Sequence, residues 1–159
     1  SRRMRDFWRQ SLARPARAER RAAPAPHGVD PKEPIEYYWT RVSGRLGDST
    51  EMHQICLAYM SDMGMLSCAY QPYGGIRENP PAMMVSLDHS MWFHSADFRA
   101  DEWLLFQIRC VRAGGARILA FCRVWTQAGS LIFSCAQEGL ARHSEQLQRT
   151  LPTEDRAKL

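Results

Sequence analysis

No run of apolar residues in this 159-residue chain approaches the roughly 20 needed to cross a bilayer. No apolar core followed by a small-residue cleavage site stands near its start, which argues against a secretory route. The five cysteines, Cys56, Cys68, Cys110, Cys122 and Cys135, are an odd set and contain no C-x-x-C pair. Cys56, Cys110 and Cys135 fall inside apolar, periodic segments, so buried free thiols in a reducing compartment are expected rather than a disulfide framework or zinc knuckle. There is no G-x-S-x-G elbow, no glycine-rich phosphate loop ahead of a helix and no H-E-x-x-H, which leaves α/β serine hydrolases, P-loop enzymes and zincins without support. Opening on Ser1 rather than Met, the sequence reads as a fragment or a processed form.

A net positive charge is likewise missing from most of the chain. The net charge is +4, yet residues 1–27 alone carry eight arginines against Asp6 and Glu19, so the remainder is slightly acidic. A nucleic-acid-binding domain carries its cations on the folded body, interleaved with aromatics, and this body does not. The Arg-, Ala- and Pro-containing start (Pro15, Pro24, Pro26) reads as a solvated helix followed by a linker. Residues 1–35 are therefore expected to precede a folded domain over 36–142, with a polar tail over 143–159.

The apolar pattern supplies the architecture. Tyr37 to Ser43 is aromatic and β-branched, reads as a strand, and stops at Gly44 and Gly47. Asp48 and Glu51 stand at the spacing of an N-cap and its third helical residue. Met52, Ile55, Cys56, Tyr59, Met60, Met63 and Leu66 then follow one helix face, while Leu57, Ala58 and Met65 widen the apolar surface beyond a stripe. A helix that is apolar nearly all round is expected to be buried. Strand-like runs at 82–94, 103–112, 116–126 and 130–141 follow, with Gly114-Gly115 and Ala128-Gly129 as hairpin turns. One strand, one buried helix and an uninterrupted antiparallel series predict an α+β fold with a curved sheet wrapped around a central helix.

Against this frame one acid is out of place. Asp62 falls near the C-terminal end of the apolar helix, where the helix dipole and apolar neighbours both disfavour a carboxylate. Asp88-His89 has the look of a catalytic pair, but neighbours on a strand point to opposite faces and share no pocket; the same holds for His89 and His94. Asp88 reads as a structural hydrogen-bonder near a strand end. No spacing of His, Cys, Asp or Glu suggests a metal site.

Asp88-His89-Ser90-Met91-Trp92-Phe93-His94, followed by Phe98-Arg99-Ala100-Asp101-Glu102-Trp103-Leu104-Leu105, resembles the acyl-CoA thioesterase II (TesB-like) family of double-hotdog enzymes. Cys135-Ala136-Gln137-Glu138-Gly139 is similar to that family's closing strand, and His53 to Asp62 to the helix of its second domain; the likeness runs from about Tyr37 to Arg142. It implies a hotdog fold and hydrolysis of fatty acyl-CoA to free acid and CoA by an activated water, with no cofactor. It also implies Asp62 of Ser61-Asp62 as general base, with Ser86 and Gln137 holding the water or the thioester oxygen. The family has two hotdogs in one chain and this sequence matches only the second. A further hotdog, from a longer chain, a second copy or a separate subunit, is therefore the expected partner. Where the family usually has an aromatic after the helix Asp, Met63-Gly64-Met65 stands here. A non-catalytic hotdog serving acyl binding or assembly is the alternative. The closing Ala157-Lys158-Leu159 resembles a peroxisomal address, which implies the peroxisomal matrix in a eukaryote and the cytoplasm otherwise.

Overall fold

The computed structural model describes residues 18–25 and 33–143. The arginines up to Arg17, the polar tail from residue 144 and Ala157-Lys158-Leu159 lie outside the described residues. Seven strands, β1 (Ala18–Ala22), β2 (Ile35–Val42), β3 (Met83–Ser86), β4 (Ser90–Phe93), β5 (Leu104–Gly114), β6 (Arg117–Trp125) and β7 (Leu131–Arg142), form one antiparallel sheet. Its order is β1-β2-β5-β6-β7-β3, with β4 also paired to β7. A helix, α1 (Thr50–Asp62), and a 3-10 helix, Met65–Tyr73, fill the concave side. No helix among the described residues is long and apolar enough to cross a membrane.

Strict alternation puts one face of each central strand in the core. Leu104, Phe106, Ile108 and Cys110 of β5, Ile118, Ala120, Cys122 and Val124 of β6, and Phe133, Cys135 and Ala141 of β7 are all buried. Their period of two is the pattern of a sheet with one dry face. All five cysteines are buried and free, as their apolar settings predict. The β5–β6 connection is the two-residue turn Gly115-Ala116, and both residues are left-handed (φ +59° and +62°). That conformation matches the twist of the flanking strands.

Several expectations are corrected. Residues 18–22 are not helix or solvated tail but an edge strand paired with β2. Its arginines are amphipathic: the Arg20 guanidinium lies 3.4 Å from the centre of the Tyr38 ring and pairs with Glu36, while Arg21 covers Trp103. The helix cap is Ser49, not Asp48; Ser49 Oγ accepts from Met52 N and donates to Glu51. The helix does not run on to Leu66. It ends at Asp62, because extended Met63 and left-handed Gly64 turn the chain into the 3-10 helix, whose Met65, Cys68 and Tyr70 are fully buried. Nor is α1 buried all round, since Ile55 and Tyr59 stay exposed, Tyr59 at 65%.

The predicted strand over 82–94 is two strands with a break. β3 pairs with Gly139–Arg142 and β4 with Phe133–Ala136 of the same neighbour. Leu87, Asp88 and His89 therefore face only Gln137 and Glu138, three residues against two. This is the geometry of a bulge, which re-aims side chains at a sheet edge.

Candidate active site

Helix end, edge-strand break and β7 meet at one point, where the predicted residues Asp62, Ser86 and Gln137 come together. The inward row of β7 reads Phe133, Cys135, Gln137, Gly139, Ala141, so an amide occupies a core position and is 1% exposed. Gln137 Nε2 lies 2.5 Å from Asp62 Oδ1 and 2.8 Å from Ser86 Oγ. A carboxylate only accepts, so the amide nitrogen must face Asp62, and both of its hydrogens are then committed. Gln137 Oε1 is buried with no partner.

This arrangement assigns the remaining capacity. Ser86 accepts from Gln137, which leaves its own hydroxyl hydrogen free to donate. Asp62 Oδ1 is occupied and Oδ2 remains to accept a proton. Asp62 and Ser86 are both exposed in this chain, so the apolar neighbours that the sequence places beside Asp62 do not enclose it. The apolar groups around them, Tyr59, Met63, Leu87 and Met91, are exposed as well.

Gly139 sets how closely the elements approach. A Cβ there would overlap Leu66 Cδ1 and lie 3.0 Å from the Val85 carbonyl oxygen. Sequence reading gave Gly139 no role beyond the motif; its inward position on a strand is the signal for close approach.

Asp88 and His89 share no pocket, as expected, although they lie in the break between β3 and β4 and not on one strand. Asp88 Oδ1 accepts from Glu138 N at 2.9 Å. The His89 ring turns inward and lies 3.3 Å from Ser61 Oγ. Ser61, fully buried, donates to Ala58 O at 2.8 Å, so the contact runs from His89 Nε2–H to Ser61 Oγ. His94 bonds Ser134 on the other face of the sheet. Beside His89, the Cys135 thiol is held down at about 7. Its hydrogen bond with Cys122 and the proximity of His89 and Ser61 outweigh burial. Among the described residues no group of three or more His, Cys, Asp or Glu gathers as a metal site would.

The family described as "Acyl-CoA thioesterase C-terminal domain" matches residues 2–141. Human acyl-coenzyme A thioesterase 8 is 42% identical over 119 residues, covering 74% of this chain but only 36% of the relative. The solved acyl-CoA thioesterase II TesB2 from Mycobacterium marinum superposes with a TM-score of 0.69 at 35% identity, covering 87% of this chain and 52% of that one. A hotdog-fold protein from Alicyclobacillus acidocaldarius, 16% identical with a TM-score of 0.62, covers 80% of this chain and 46% of its own and shares the fold alone. The chain spans little more than a third of the curated relative it matches. With its single curled antiparallel sheet closed around one helix, this chain belongs to the acyl-CoA thioesterase family and corresponds to its C-terminal hotdog domain.

Proposed function

We propose that this domain hydrolyses fatty acyl-CoA to free acid and CoA through a directly activated water. The observation that carries the reading is that one buried amide, Gln137, ties a carboxylate from the helix end to a hydroxyl from the edge strand. Asp62 takes the proton from water, which then attacks the thioester carbonyl. Ser86 donates to the carbonyl oxygen as negative charge develops there, and Gln137 holds both partners in line. The tetrahedral intermediate expels CoA thiolate, which is a good leaving group. No covalent intermediate is needed: among the described residues Ser86 Oγ is hydrogen-bonded to the Gln137 amide, not to a base that would make it a nucleophile.

The cleft is open in this chain. Ile55 and Tyr59 on α1, Met63 at its C-cap, and Met91 and Phe93 on β4 are exposed apolar side chains. A second hotdog docked along the β3–β4 edge covers that surface, desolvates Asp62 and gives the acyl chain an apolar wall.

The deciding experiment measures thiol release from acyl-CoAs of several chain lengths, by the chain alone and together with a first hotdog from a family member. Turnover is expected in the completed protein, and Asp62→Asn should lower it about 100-fold or more. Normal turnover in that variant overturns the assignment. The exposure of Asp62 and Ser86 favours a second reading, a non-catalytic hotdog for acyl binding or assembly; acyl-CoA binding without hydrolysis at any chain length identifies it.

A further inference from the structure

Asp88 and His89 have no part in the chemistry above, yet each holds the chain neighbour of a residue that does. Asp88 Oδ1 takes the backbone N–H of Glu138, the residue after Gln137. His89 donates to the hydroxyl of Ser61, the residue before Asp62. The two side chains leave the same bulge on opposite faces, which is why one reaches the backbone of β7 and the other the last turn of α1.

The bulge makes these contacts necessary. With three residues facing two, the ladder between Ser86 and Ser90 is incomplete: Leu87 N bonds Glu138 O at 2.8 Å, and Asp88 N reaches the same oxygen at 3.4 Å. The Glu138 N–H would have no strand partner there, and the Asp88 carboxylate supplies one. Without it β7 loses its anchor one residue from Gln137. On the inner face His89 also contacts Cys135, two residues before Gln137 on the same row. The ring thus spans α1, β4 and β7, the elements whose relative placement sets the distance between Asp62 and Gln137. Ser61 also approaches Met91 Sδ at 4.0 Å, and Met65 Sδ accepts from Cys135 at 3.4 Å, so apolar and sulfur groups pack around the bond.

We propose that Asp88 and His89 are paired positioning residues: Asp88 fixes Gln137 through Glu138, and His89 fixes Asp62 through Ser61. The inference rests on the hydrolytic reading of Asp62, Ser86 and Gln137. Errors of an ångström in such a constellation lower turnover by about 10- to 100-fold without touching remote substrate contacts.

Two readouts test it on the same variants. In the completed, hydrolysing protein, Asp88→Ala and His89→Ala should each lower kcat about 10-fold or more with KM within about twofold. Asp88→Asn keeps an acceptor and His89→Gln keeps a donor, and each should restore most of the loss. Ser61→Ala removes the His89 bond from the other side; it should reproduce the His89→Ala effect and not add to it. The second readout needs no activity: the side-chain amide protons of Gln137, both hydrogen-bonded, exchange slowly in an NMR spectrum of the chain, and the Ala variants should speed that exchange while backbone dispersion persists.

If Ala variants retain kcat within about twofold while Asp62→Asn is inactive, the positioning role is wrong and the hydrolytic reading stands. Equal losses from Ala, Asn and Gln variants, or a parallel rise in KM, also overturn it. If Asp62→Asn keeps full turnover, the hydrolytic reading fails. The exchange of the Gln137 amide then decides positioning alone: faster in the Ala variants supports it, unchanged refutes it.

Discussion

Gln137 donates to Asp62 across 2.5 Å, joining two residues 75 positions apart in the chain. The donor is buried and the acceptor exposed, so the bond is anchored on the strand side and the helix end rests on it. This asymmetry separates the function of Gln137 from its contribution to stability. Its Oε1 is buried with no partner, and such an orphan acceptor costs about 1–3 kcal/mol. Gln137→Leu keeps the volume, removes the orphan and leaves Asp62 and Ser86 to water. The melting temperature should be unchanged or higher while turnover falls about 100-fold. A large drop in melting temperature would show that the amide is structural first.

Gly139 is the second place where packing limits the site. Gly139→Ala should cost about 1–3 kcal/mol in urea unfolding, because Leu66 must move and the Val85 carbonyl cannot. Gly139 is the register partner of Ser86, so the same substitution should also lower turnover. Leu66→Ala in the Gly139→Ala background should recover part of that turnover by making room, although it opens space of its own. No recovery would mean that the backbone contact dominates.

These two residues show what the sequence does and does not disclose. The apolar period of β7 is legible, but Gln137 is reached only through the family resemblance, because a lone polar residue near a strand end reads as surface until the register of β7 places it in the inward row. The central strands and the thiol burial follow from the same period. The break at Leu87–His89 is not legible, because three-against-two pairing depends on the register of β7, some 50 residues later. The meeting of His89 with Ser61 is hidden for the same reason. β1 escapes because arginine composition reads as solvated; its stability comes from aliphatic stems and guanidinium faces laid on Tyr38 and Trp103, partners far along the chain. Asp62 is recognisable as an anomaly, but its exposure follows from the chain ending the helix at Met63-Gly64.

The turn at Gly115-Ala116 gives a prediction with a diagnostic sign. Ala116 is left-handed at φ +62°, the only described non-glycine residue with positive φ. A Cβ in that region costs about 1–2 kcal/mol. Ala116→Gly should therefore stabilise the protein by about 1 kcal/mol in urea unfolding, although glycine ordinarily destabilises. Loss of stability would show that the turn leaves the left-handed region in solution.

Arg20 tests the edge strand. Its guanidinium stacks on Tyr38, which is 4% exposed, and pairs with Glu36 at 3.0 Å. Arg20→Ala should cost about 1 kcal/mol, and Arg20→Lys should recover only part of it, since an ammonium lacks the planar face. Deleting residues 1–22 exposes the β2 edge and should promote self-association, detectable by light scattering.

Asp101 sets an acid limit. Its side chain is 7% exposed, accepts from Arg99 Nε at 3.0 Å and Nη2 at 3.1 Å, and takes the backbone N–H of Leu46 at 2.9 Å. Burial alone would raise its pKa, but the Arg99 guanidinium and the Leu46 N–H outweigh it and hold the carboxyl below its ordinary 3.8. A group whose folded value lies below its unfolded value stabilises the fold above the unfolded value. That contribution is lost as pH falls through the folded one. Asp101→Asn should therefore cost about 2 kcal/mol at pH 7, with the same deficit at pH 5. Between pH 4 and pH 2 the wild-type advantage should shrink as its own carboxyl takes up a proton. Urea unfolding of both proteins across that range measures the difference directly; a deficit that stays constant down to pH 2 would mean that shape, not charge, is what Asp101 contributes.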